Sequence, residues 1–515
     1  MCVGAIAALL IGAPAPLTAQ RLPPIVYTIR VPDPASHLAL IEAHIPARGK
    51  DTLDLMMPVW SPGYYRVEDY AAKVQSMAAT GRGGRSLTVS HPQSNRWRVP
   101  TEGATEVTLR YSLLCSGRSV TLNWVGDDMG VFNGSATYIT LAERARRPHE
   151  VHLELPPQWP AVATSLPSAN GGGAQWFRAD DYDTLNDSPI VAGLLSTHEF
   201  TVGSSTHVLV DAGTTAGWDG ALAARNLQQF VRADSAFWGS LPFTRYVFLN
   251  LFRPGGGGLE HLNSTLLTSR VSPDAPGGNA RWLNFVSHEY FHAFNVKRLR
   301  PVELGPFDYE RPANTESLWI SEGLTSYYGE LLVTRAGLSA PADFLAALSS
   351  HIRSVQHAPG RLVQTLAQSS LGVWTASGVS GVGQDPKTTV SYYEKGPVVG
   401  FLLDARIRRL TGGARSLDDV MRAGMRQYSG ARGFTHAQFV EVAESVAGAP
   451  LTDFFQRTVF STEELDYAEA LEWFGLRFAA SVEPAREWTL EPRPDATAAQ
   501  RAHLAALVAE APPRH

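Results

Sequence analysis

The sequence predicts an α+β chain of more than one domain, in which an all-β domain precedes a mostly helical one. Three observations predict this organisation. The chain has 515 residues, which is more than one hydrophobic core usually organises. Short alternating segments dominate residues 25–200, and long helical patterns dominate after Gly258. With 44% hydrophobic residues, the chain has enough apolar material for separate cores.

The first residues, MCVGAIAALLIGAPAPLTAQ, are typical of a secretory signal. Small residues ending at Ala19 follow an apolar stretch, which predicts a signal peptide over residues 1–19 and cleavage before Gln20. No Lys or Arg precedes the apolar run, so a disordered or membrane-anchoring N-terminus is the alternative. No other stretch reaches the ~18 apolar residues of a transmembrane helix. We expect a secreted or periplasmic protein with no stable membrane insertion once the signal is removed.

Charge and cysteine content exclude some functions. The net charge is −5 without a basic bias, so composition gives no case for nucleic acid as a partner. The cysteines are Cys2 and Cys115, and signal removal would leave one thiol and no intrachain disulfide. Cys115 lies at a predicted strand end, where an inert buried thiol is favoured over a nucleophile.

The N-terminal domain is predicted over residues 20–205. Segments such as HLALIEAHI, TLDLMMPVW, EVTLRYSLL and EVHLEL alternate apolar and polar residues and are separated by Gly, Pro, Asn and Asp. This spacing is typical of an all-β domain. One segment, PVWSPGYYR at 58–66, combines a Ser-Pro-Gly turn with aromatic residues. Core or interface packing is favoured for these aromatics over a binding role.

The second domain is predicted over residues 206–460. It begins with the buried strands HVLVDAG and YVFLNLF, separated by a helix over 221–239. Longer helical patterns follow at 280–300, 316–336, 341–357, 395–411, 416–427 and 435–446. Residues 461–515 remain as a C-terminal segment, too short for another typical domain.

The first of these long helices carries the segment FVSHEYFHAF, within a helix predicted to start at Asn279 and to stop at Pro301. A spacing of four places His288 and His292 on one face, where two imidazoles can reach one metal ion. Glu289 lies about 100° around the helix, as in the H-E-x-x-H motif of zinc peptidases, where this Glu is the general base. The alternative is a core helix with two hydrogen-bonded histidines.

A third ligand is needed for a catalytic zinc site, which has three protein ligands and an open position. The helical pattern LWISEGLTSYY holds a single acidic residue, Glu322, among apolar neighbours. A lone carboxylate in such a wall needs a partner, and a divalent metal supplies one. Taken alone, Glu322 is better explained as an acid near a helix N-terminus that interacts with the helix dipole. Together with His288 and His292, it predicts a site for one zinc ion.

These segments resemble the M61 peptidases, the glycyl aminopeptidase family of the His-Glu-His-Glu zinc clan. The resemblance rests on HEYFHAFNVKRLRP and LWISEGLTSYYGELL, and extends to PVWSPGYYRVEDYA, GGGGLEHLNST and SYYEKGPVVGFLLD. It implies a thermolysin-like, mostly helical catalytic domain over residues 206–460. It also implies a zinc aminopeptidase that removes small N-terminal residues, Gly or Ala, from peptides. The family often continues into a PDZ domain, which residues 461–515 are too short to complete.

The resemblance also implies further site residues. Glu260 matches the acid that holds the substrate α-amino group in related aminopeptidases, although a surface acid is the alternative. Gly257 and Gly258 would let the substrate backbone approach an edge strand, and His261 would line the rim or support the fold. Tyr393 matches the tyrosine that donates to the oxyanion, with its neighbour Tyr392 as second choice and a core tyrosine as the alternative.

Other expectations stay open at this level. A zinc endopeptidase would share the metal site without using Glu260 for an amine. A metal-free peptide-binding protein and a structural β-rich surface protein are the non-enzymatic alternatives. Outer support for the histidines is expected from Asp308, Glu316 or Ser326, in no particular order. The basic residues at 297–300 are expected to interact with a helix C-terminus, and Lys395 is expected to pair locally.

Overall fold

The computed structural model describes residues 22–509, apart from 144–145, 170–172, 174, 214–216, 254, 269–277, 376–384 and 481–487. The predicted signal peptide, residues 1–19, lies outside the described residues. The predicted fold class is confirmed, because a β-rich part precedes a helical part. None of the helices in the described residues combines the length and apolarity needed to span a bilayer.

The β-rich part contains a seven-stranded sheet and two four-stranded sheets. Alternation explains the strands: in the second strand, residues 38–46, every second side chain is buried. In chain order the elements are β1 (Ile25–Arg30), β2 (Leu38–Pro46), β3 (Thr52–Met56), β4 (Val74–Thr80), β5 (Ser86–Leu87), β6 (Ser90–Gln93), β7 (Arg96–Pro100), β8 (Glu106–Leu114), β9 (Trp124–Val125), β10 (Met129–Phe132), α1 (Gly134–Thr137), β11 (Thr140–Leu141), β12 (His149–Glu154), β13 (Ala161–Thr164), β14 (Trp176–Ala179), α2 (Tyr182–Asn186) and β15 (Ile190–Gly193).

The sheets have a simple order. The large sheet runs β14-β12-β1-β2-β8-β4-β5, and the smaller sheets run β13-β15-β10-β9 and β11-β3-β7-β6. Apolar residues of these strands form one core. A smaller cluster joins Met129, Val131 and Val191 to strands of the next sheet and so attaches the two parts.

A five-stranded sheet opens the second part, in the order β16-β17-β18-β20-β19. Its strands are β16 (Leu195–Val202), β17 (Ser205–Gly213), β18 (Arg245–Phe252), β19 (Gly257–Glu260) and β20 (Ser264–Thr268). β17, β18 and β20 are parallel neighbours, and β19 is antiparallel to β20 at the sheet edge. The predicted edge position of the glycine-rich segment therefore corresponds to a real strand edge.

Helices form the rest of the second part around one large core. They are α3 (Gly220–Trp238), α4 (Gly278–Phe291), α5 (Leu324–Arg335), α6 (Pro341–His357), α7 (Leu366–Leu371), α8 (Tyr392–Leu410), α9 (Leu417–Tyr428), α10 (His436–Ala447), α11 (Thr452–Thr458), α12 (Ala468–Phe474) and α13 (Ala498–Val508), with a two-stranded sheet of β21 (Leu476–Phe478) and β22 (Leu490–Pro492).

The helix predicted over 280–300 is shorter than expected. α4 begins at Gly278 and ends at Phe291, well before Pro301. Beyond it the chain turns repeatedly, and Val296 adopts a φ of 147°. Of the basic side chains here, Arg298 donates to the Ala293 carbonyl two residues beyond the end of α4, whereas Lys297 pairs with Asp187 at 2.9 Å instead of a helix end. Tertiary contacts thus override a continuous helical pattern.

The C-terminal segment packs on the helical part of the chain. Leu476, Leu490 and Leu507 are buried in the same core as residues of α4 and α5. The Arg335 side chain of α5 donates a hydrogen bond to the Leu507 carbonyl. The described residues after 461 therefore complete this core.

Candidate metal centre and active site

The three predicted metal ligands lie together in the structure. The Nε2 atoms of His288 and His292 are 3.0 Å apart. Glu322 Oε2 lies 3.6 Å from the first and 3.2 Å from the second. Among the described residues, His288, His292 and Glu322 form the one group of three or more His, Cys, Asp or Glu side chains whose ligand atoms lie close enough together to hold a metal ion. His292 and Glu322 are buried, and His288 is partly exposed on the cavity side.

Hydrogen bonds on the far side of each imidazole orient these ligands. His292 Nδ1 lies 2.9 Å from the Asn295 carbonyl, to which it donates. His288 Nδ1 lies 3.3 Å from Ser326 Oγ. Of the predicted supporting residues, Ser326 is therefore the one placed on a ligand. Asp308 instead uses its carbonyl to accept a hydrogen bond from Trp60.

The residues present fit a divalent metal. Because His292 donates from Nδ1, the lone pair of its Nε2 atom faces the Nε2 atom of His288 at 3.0 Å. Two lone pairs at this distance repel each other unless a cation or a proton lies between them. The buried Glu322 Oε1 has no hydrogen-bond partner within the part of the chain that the structure describes. Burial opposes a charge on His292, yet the Glu322 carboxylate raises the pKa of His292 to about 10. Two nitrogens and one carboxylate form a ligand set that suits zinc.

A π-helical turn places Glu322. The helix predicted over 316–336 is α-helical only from Leu324, and the preceding turn, Trp319–Gly323, is a π-helix. Such turns occur often at functional sites. Here Gly323 touches α8 so closely that an added Cβ would lie 2.6 Å from the Gly396 Cα. This contact of two glycines brings the Glu322 turn against the first turn of α8.

Asn295 ties the two ligand segments to each other. Its amide group donates to the Ile320 carbonyl at 2.8 Å and to Thr325 Oγ1 at 3.0 Å, and lies 3.3 Å from the Ser321 carbonyl. Its main-chain carbonyl accepts a hydrogen bond from His292 Nδ1. One fully buried residue therefore links the histidine segment to the Glu322 turn. No periodicity or motif in the sequence indicated this role.

Glu289, the predicted general base, packs against the edge strand. A Cβ added to Gly258 would lie 2.1 Å from Glu289 Oε1, so only glycine leaves room for this carboxylate. Burial raises the pKa of Glu289 to about 8. A cation bound beside it would act in the opposite direction. The predicted glycine-rich segment and the predicted base therefore meet.

Tyr393 lies beside the ligands in the first turn of α8. Its ring is 6.1 Å from the His288 ring and 4.8 Å from the Tyr392 ring. Burial, and then the charge of Glu322, hold the pKa of Tyr393 well above 10. The phenol is therefore protonated at neutral pH and available as a donor. Tyr392 is more deeply buried, and its hydroxyl has no partner.

Glu260 ends the edge strand β19 and is buried. Burial raises its pKa although Lys297 acts in the opposite direction, and its Oε1 atom has no hydrogen-bond partner among the described residues. A Cβ on Gly63, in the predicted Ser-Pro-Gly turn, would lie 2.3 Å from this oxygen. The neighbouring His261 binds Asp187 through Nδ1 at 3.1 Å and is buried, so the structure places it in a support network.

Comparison with protein families matches both parts of the chain. Residues 26–194 match the peptidase M61 N-terminal domain, and residues 281–399 match the M61 glycyl aminopeptidase domain. Together the matched ranges span more than half of the chain. The chain belongs to the M61 peptidase family. A search of curated proteins finds no significant match.

Solved structures agree with the M61 assignment. An aminopeptidase N family protein from Idiomarina loihiensis is 28% identical with a TM-score of 0.82, over 88% of this chain and 78% of that one. An M1 zinc metallopeptidase from Deinococcus radiodurans is 13% identical with a TM-score of 0.53, over 87% of this chain and 95% of that one. At this low identity, the M1 structure shows only that the two chains share a fold. This M61 chain is a metallopeptidase that acts on peptides.

Two cavities flank the metal ligands of this M61 peptidase. One, of about 670 Å³, is lined by His288, Glu289 and Tyr393. The other, of about 270 Å³, is lined by Glu260 and by residues of the β-rich part. Gly63 lines both. Glu260 and Glu289 therefore line adjoining cavities, and the charge of Glu260 contributes, after burial, to the raised pKa of Glu289.

Tyr65, from the same turn segment, was not predicted as a site residue. It is buried, and its hydroxyl meets no full hydrogen-bond geometry with any of the described residues. After burial, the charges of Glu322 and Glu260 contribute most to raising its pKa well above 10, which places the phenol close to both carboxylates. The aromatic pattern predicted interface packing, which the ring does provide by meeting the Trp374 ring at 6.1 Å. Its approach to the metal site required the packed domains.

Proposed function

We propose that this M61 peptidase is a zinc-dependent aminopeptidase that releases small N-terminal residues, Gly or Ala, from peptides. The observation that carries the proposal is the convergence of His288, His292 and Glu322, with Glu289 on the open side of the group. One zinc ion per chain would be held by the two Nε2 atoms and the Glu322 carboxylate. When bound, zinc supplies a Lewis acid for the scissile carbonyl and an activated water.

The protein residues would handle the protons and the developing charge. Glu289 accepts a proton from the attacking water and passes it to the leaving amine. Tyr393 keeps its proton and donates a hydrogen bond to the oxyanion. The edge strand at Gly257 and Gly258 offers main-chain groups to the substrate backbone.

Glu260 would set the action at the N-terminus. Its unpartnered, buried Oε1 atom suits the ammonium group of a substrate. If this carboxylate holds the substrate amino group, one residue lies between that amino group and the scissile bond. This arrangement favours the release of single amino acids. The preference for Gly or Ala is supported by membership of the glycyl aminopeptidase family.

The test compares free and N-acetylated peptides, Gly-Ala-Ala and acetyl-Gly-Ala-Ala, before and after treatment with a zinc chelator. We expect glycine release only from the free peptide, loss of activity with chelator, and recovery with added zinc. Freshly purified protein should contain about one zinc per chain. Absence of stoichiometric metal would exclude the enzyme mechanism proposed here.

A zinc endopeptidase is the second candidate. The observation that favours it is that Glu260 lines a different cavity from the one lined by Glu289. An endopeptidase would cleave the acetylated peptide as fast as the free one. Cleavage of both at equal rates would therefore replace the aminopeptidase proposal and keep the metal site.

We also propose that the protein is exported, as the leader-like segment at residues 1–19 suggests. N-terminal sequencing of protein purified from the periplasm or medium of the native cells tests this. A mature chain that begins at Gln20 would support export, and a chain found in the cytoplasm with its first residues intact would refute it.

A further inference from the structure

A charged cluster lies on the wall of the larger cavity and has no role in the proposed reaction. His351 of α6 lies between two carboxylates: its Nδ1 is 2.8 Å from Glu394 Oε2 on α8, and its Nε2 is 3.2 Å from Glu330 Oε1 on α5. Glu330 and His351 line the same cavity as His288 and Glu289. We call these three residues the Glu330–His351–Glu394 cluster.

The cluster carries a net negative charge. Both ring nitrogens of His351 face carboxylates, so the ring is a donor at both positions and is protonated. Burial opposes this charge, but Glu330 and Glu394 raise the pKa of His351 to about 10. Two carboxylates and one imidazolium leave one negative charge at neutral pH. The described residues that line this cavity include no Lys or Arg.

The position of the cluster relative to the ligand His288 follows from α5, which carries both Ser326 and Glu330. The Ser326 hydroxyl lies 3.3 Å from His288 Nδ1, and Glu330 follows four residues later, roughly 6 Å farther along α5 at 1.5 Å per residue. An extended peptide residue spans ~3.4 Å, and the four-carbon stem of Lys adds about 6 Å. A side chain one residue beyond the cleaved bond can therefore reach the cluster.

The direction of the substrate follows from Glu260, which lines the other cavity. If Glu260 holds the amino terminus, the released peptide extends into the cavity that carries the cluster. The inference rests on the proposed function in this respect. His351 has no free N–H to offer a carboxylate, because Glu330 and Glu394 occupy both nitrogens. An acidic side chain would meet the net negative charge without a donor.

We propose that the Glu330–His351–Glu394 cluster is a specificity site for a positively charged side chain in the residue that follows the scissile bond. Lys or Arg there would pair with the carboxylates, and Asp or Glu would be disfavoured. The carboxylates are partly exposed, with 20% and 38% of the Glu330 and Glu394 side chains accessible, so each effect should be modest.

The test uses the zinc-loaded enzyme and three amide-capped peptides, Gly-Lys-Ala, Gly-Gln-Ala and Gly-Glu-Ala, with glycine release as the readout. The amide cap removes the terminal carboxylate. We expect kcat/KM for the Lys peptide to exceed that for the Gln peptide by about three- to fivefold, and the Glu peptide to be slower than Gln by a similar factor.

Variants separate a specificity site from a structural ion pair. Glu330→Gln and Glu394→Gln should each lower the Lys-to-Glu ratio of kcat/KM toward one, and His351→Gln should raise it because the cation is lost. Glu441→Gln, at an exposed carboxylate on α10, is the matched control and should keep the wild-type ratio.

A wild-type ratio near one, or a ratio that neither glutamate variant changes, would overturn the specificity proposal and leave the aminopeptidase proposal intact. If the variants lower only thermal stability at an unchanged ratio, the cluster merely holds α5, α6 and α8 together and the proposal fails. Failure to release glycine from all three peptides would overturn the proposed function as well.

Discussion

Replacing Asn295 by alanine should loosen the metal centre without touching a metal ligand. The side chain donates to the Ile320 carbonyl and to Thr325 Oγ1, and so holds the Glu322 turn against the segment that carries His292. The variant keeps the main-chain carbonyl that accepts from His292 Nδ1. The change therefore isolates the connection between the two segments.

The magnitude follows from the two protons of the amide group. Three acceptors lie within reach, at 2.8, 3.0 and 3.3 Å, but two N–H groups make two good bonds. Each buried hydrogen bond contributes about 1 kcal/mol net, and leaving the Ile320 carbonyl unsatisfied adds to the loss. We expect the free energy of unfolding to fall by about 2–3 kcal/mol. Zinc affinity should fall by about tenfold, which corresponds to about 1.4 kcal/mol, because the Glu322 turn is no longer fixed against the segment that carries His292.

Two assays measure these effects. Urea unfolding of the metal-free protein gives the stability change, and competition with a chromophoric chelator gives the zinc affinity. Asn226→Ala on α3 is the matched control, since it removes the same amide group from a helix that holds no metal ligand. An Asn295→Ala variant with wild-type unfolding and wild-type zinc affinity would refute the role assigned to this side chain.

Three further predictions follow from single residues. Glu289→Gln should lower kcat by about 10²–10⁴-fold and retain zinc, and full activity would refute its role as base. Gly63→Ala should lower kcat/KM for free peptides at least about tenfold with zinc content unchanged. The new Cβ would lie 2.3 Å from Glu260 Oε1, and residue 63 has a φ of 98°, which favours glycine. An unchanged kcat/KM would exclude Glu260 as the group that binds the substrate amine. Burial lowers the pKa of Lys395 to about 8 from 10.5, so the folded protein binds fewer protons than the unfolded chain between these values and stability rises with pH there. Lys395→Met should increase the free energy of unfolding at pH 7 by up to about 3 kcal/mol. The variant should also lose the increase in stability that the wild type shows between pH 8 and 10.5. Urea unfolding at a series of pH values measures both effects, and a variant with the wild-type pH dependence would contradict the prediction.

Lys395 also shows where local reasoning was wrong. A lysine beside Glu394 in a helix was expected to pair locally, but its Nζ atom is buried and finds no hydrogen-bond partner among the described residues. Glu394 turns instead toward His351, which is 43 residues away in the chain. The helix predicted to run to residue 300 failed for a similar reason, because Lys297 pairs with the distant Asp187.

The sequence by itself predicted the three candidate metal ligands and the family. A spacing of four puts His288 and His292 on one helical face, and beside this pair the single acid Glu322 in an apolar pattern indicates a cation site. These features depend on local geometry and residue chemistry, which short-range patterns carry.

Only the tertiary structure decided what surrounds those ligands. Asn295 joins two segments about thirty residues apart, and Gly63 and Tyr65 reach Glu260 and Glu322 from another domain. Such contacts depend on which surfaces pack together after the chain folds, and no periodicity encodes them. The side chains that hold, limit and charge the site were therefore visible only once the β-rich part and the helices had been placed against each other.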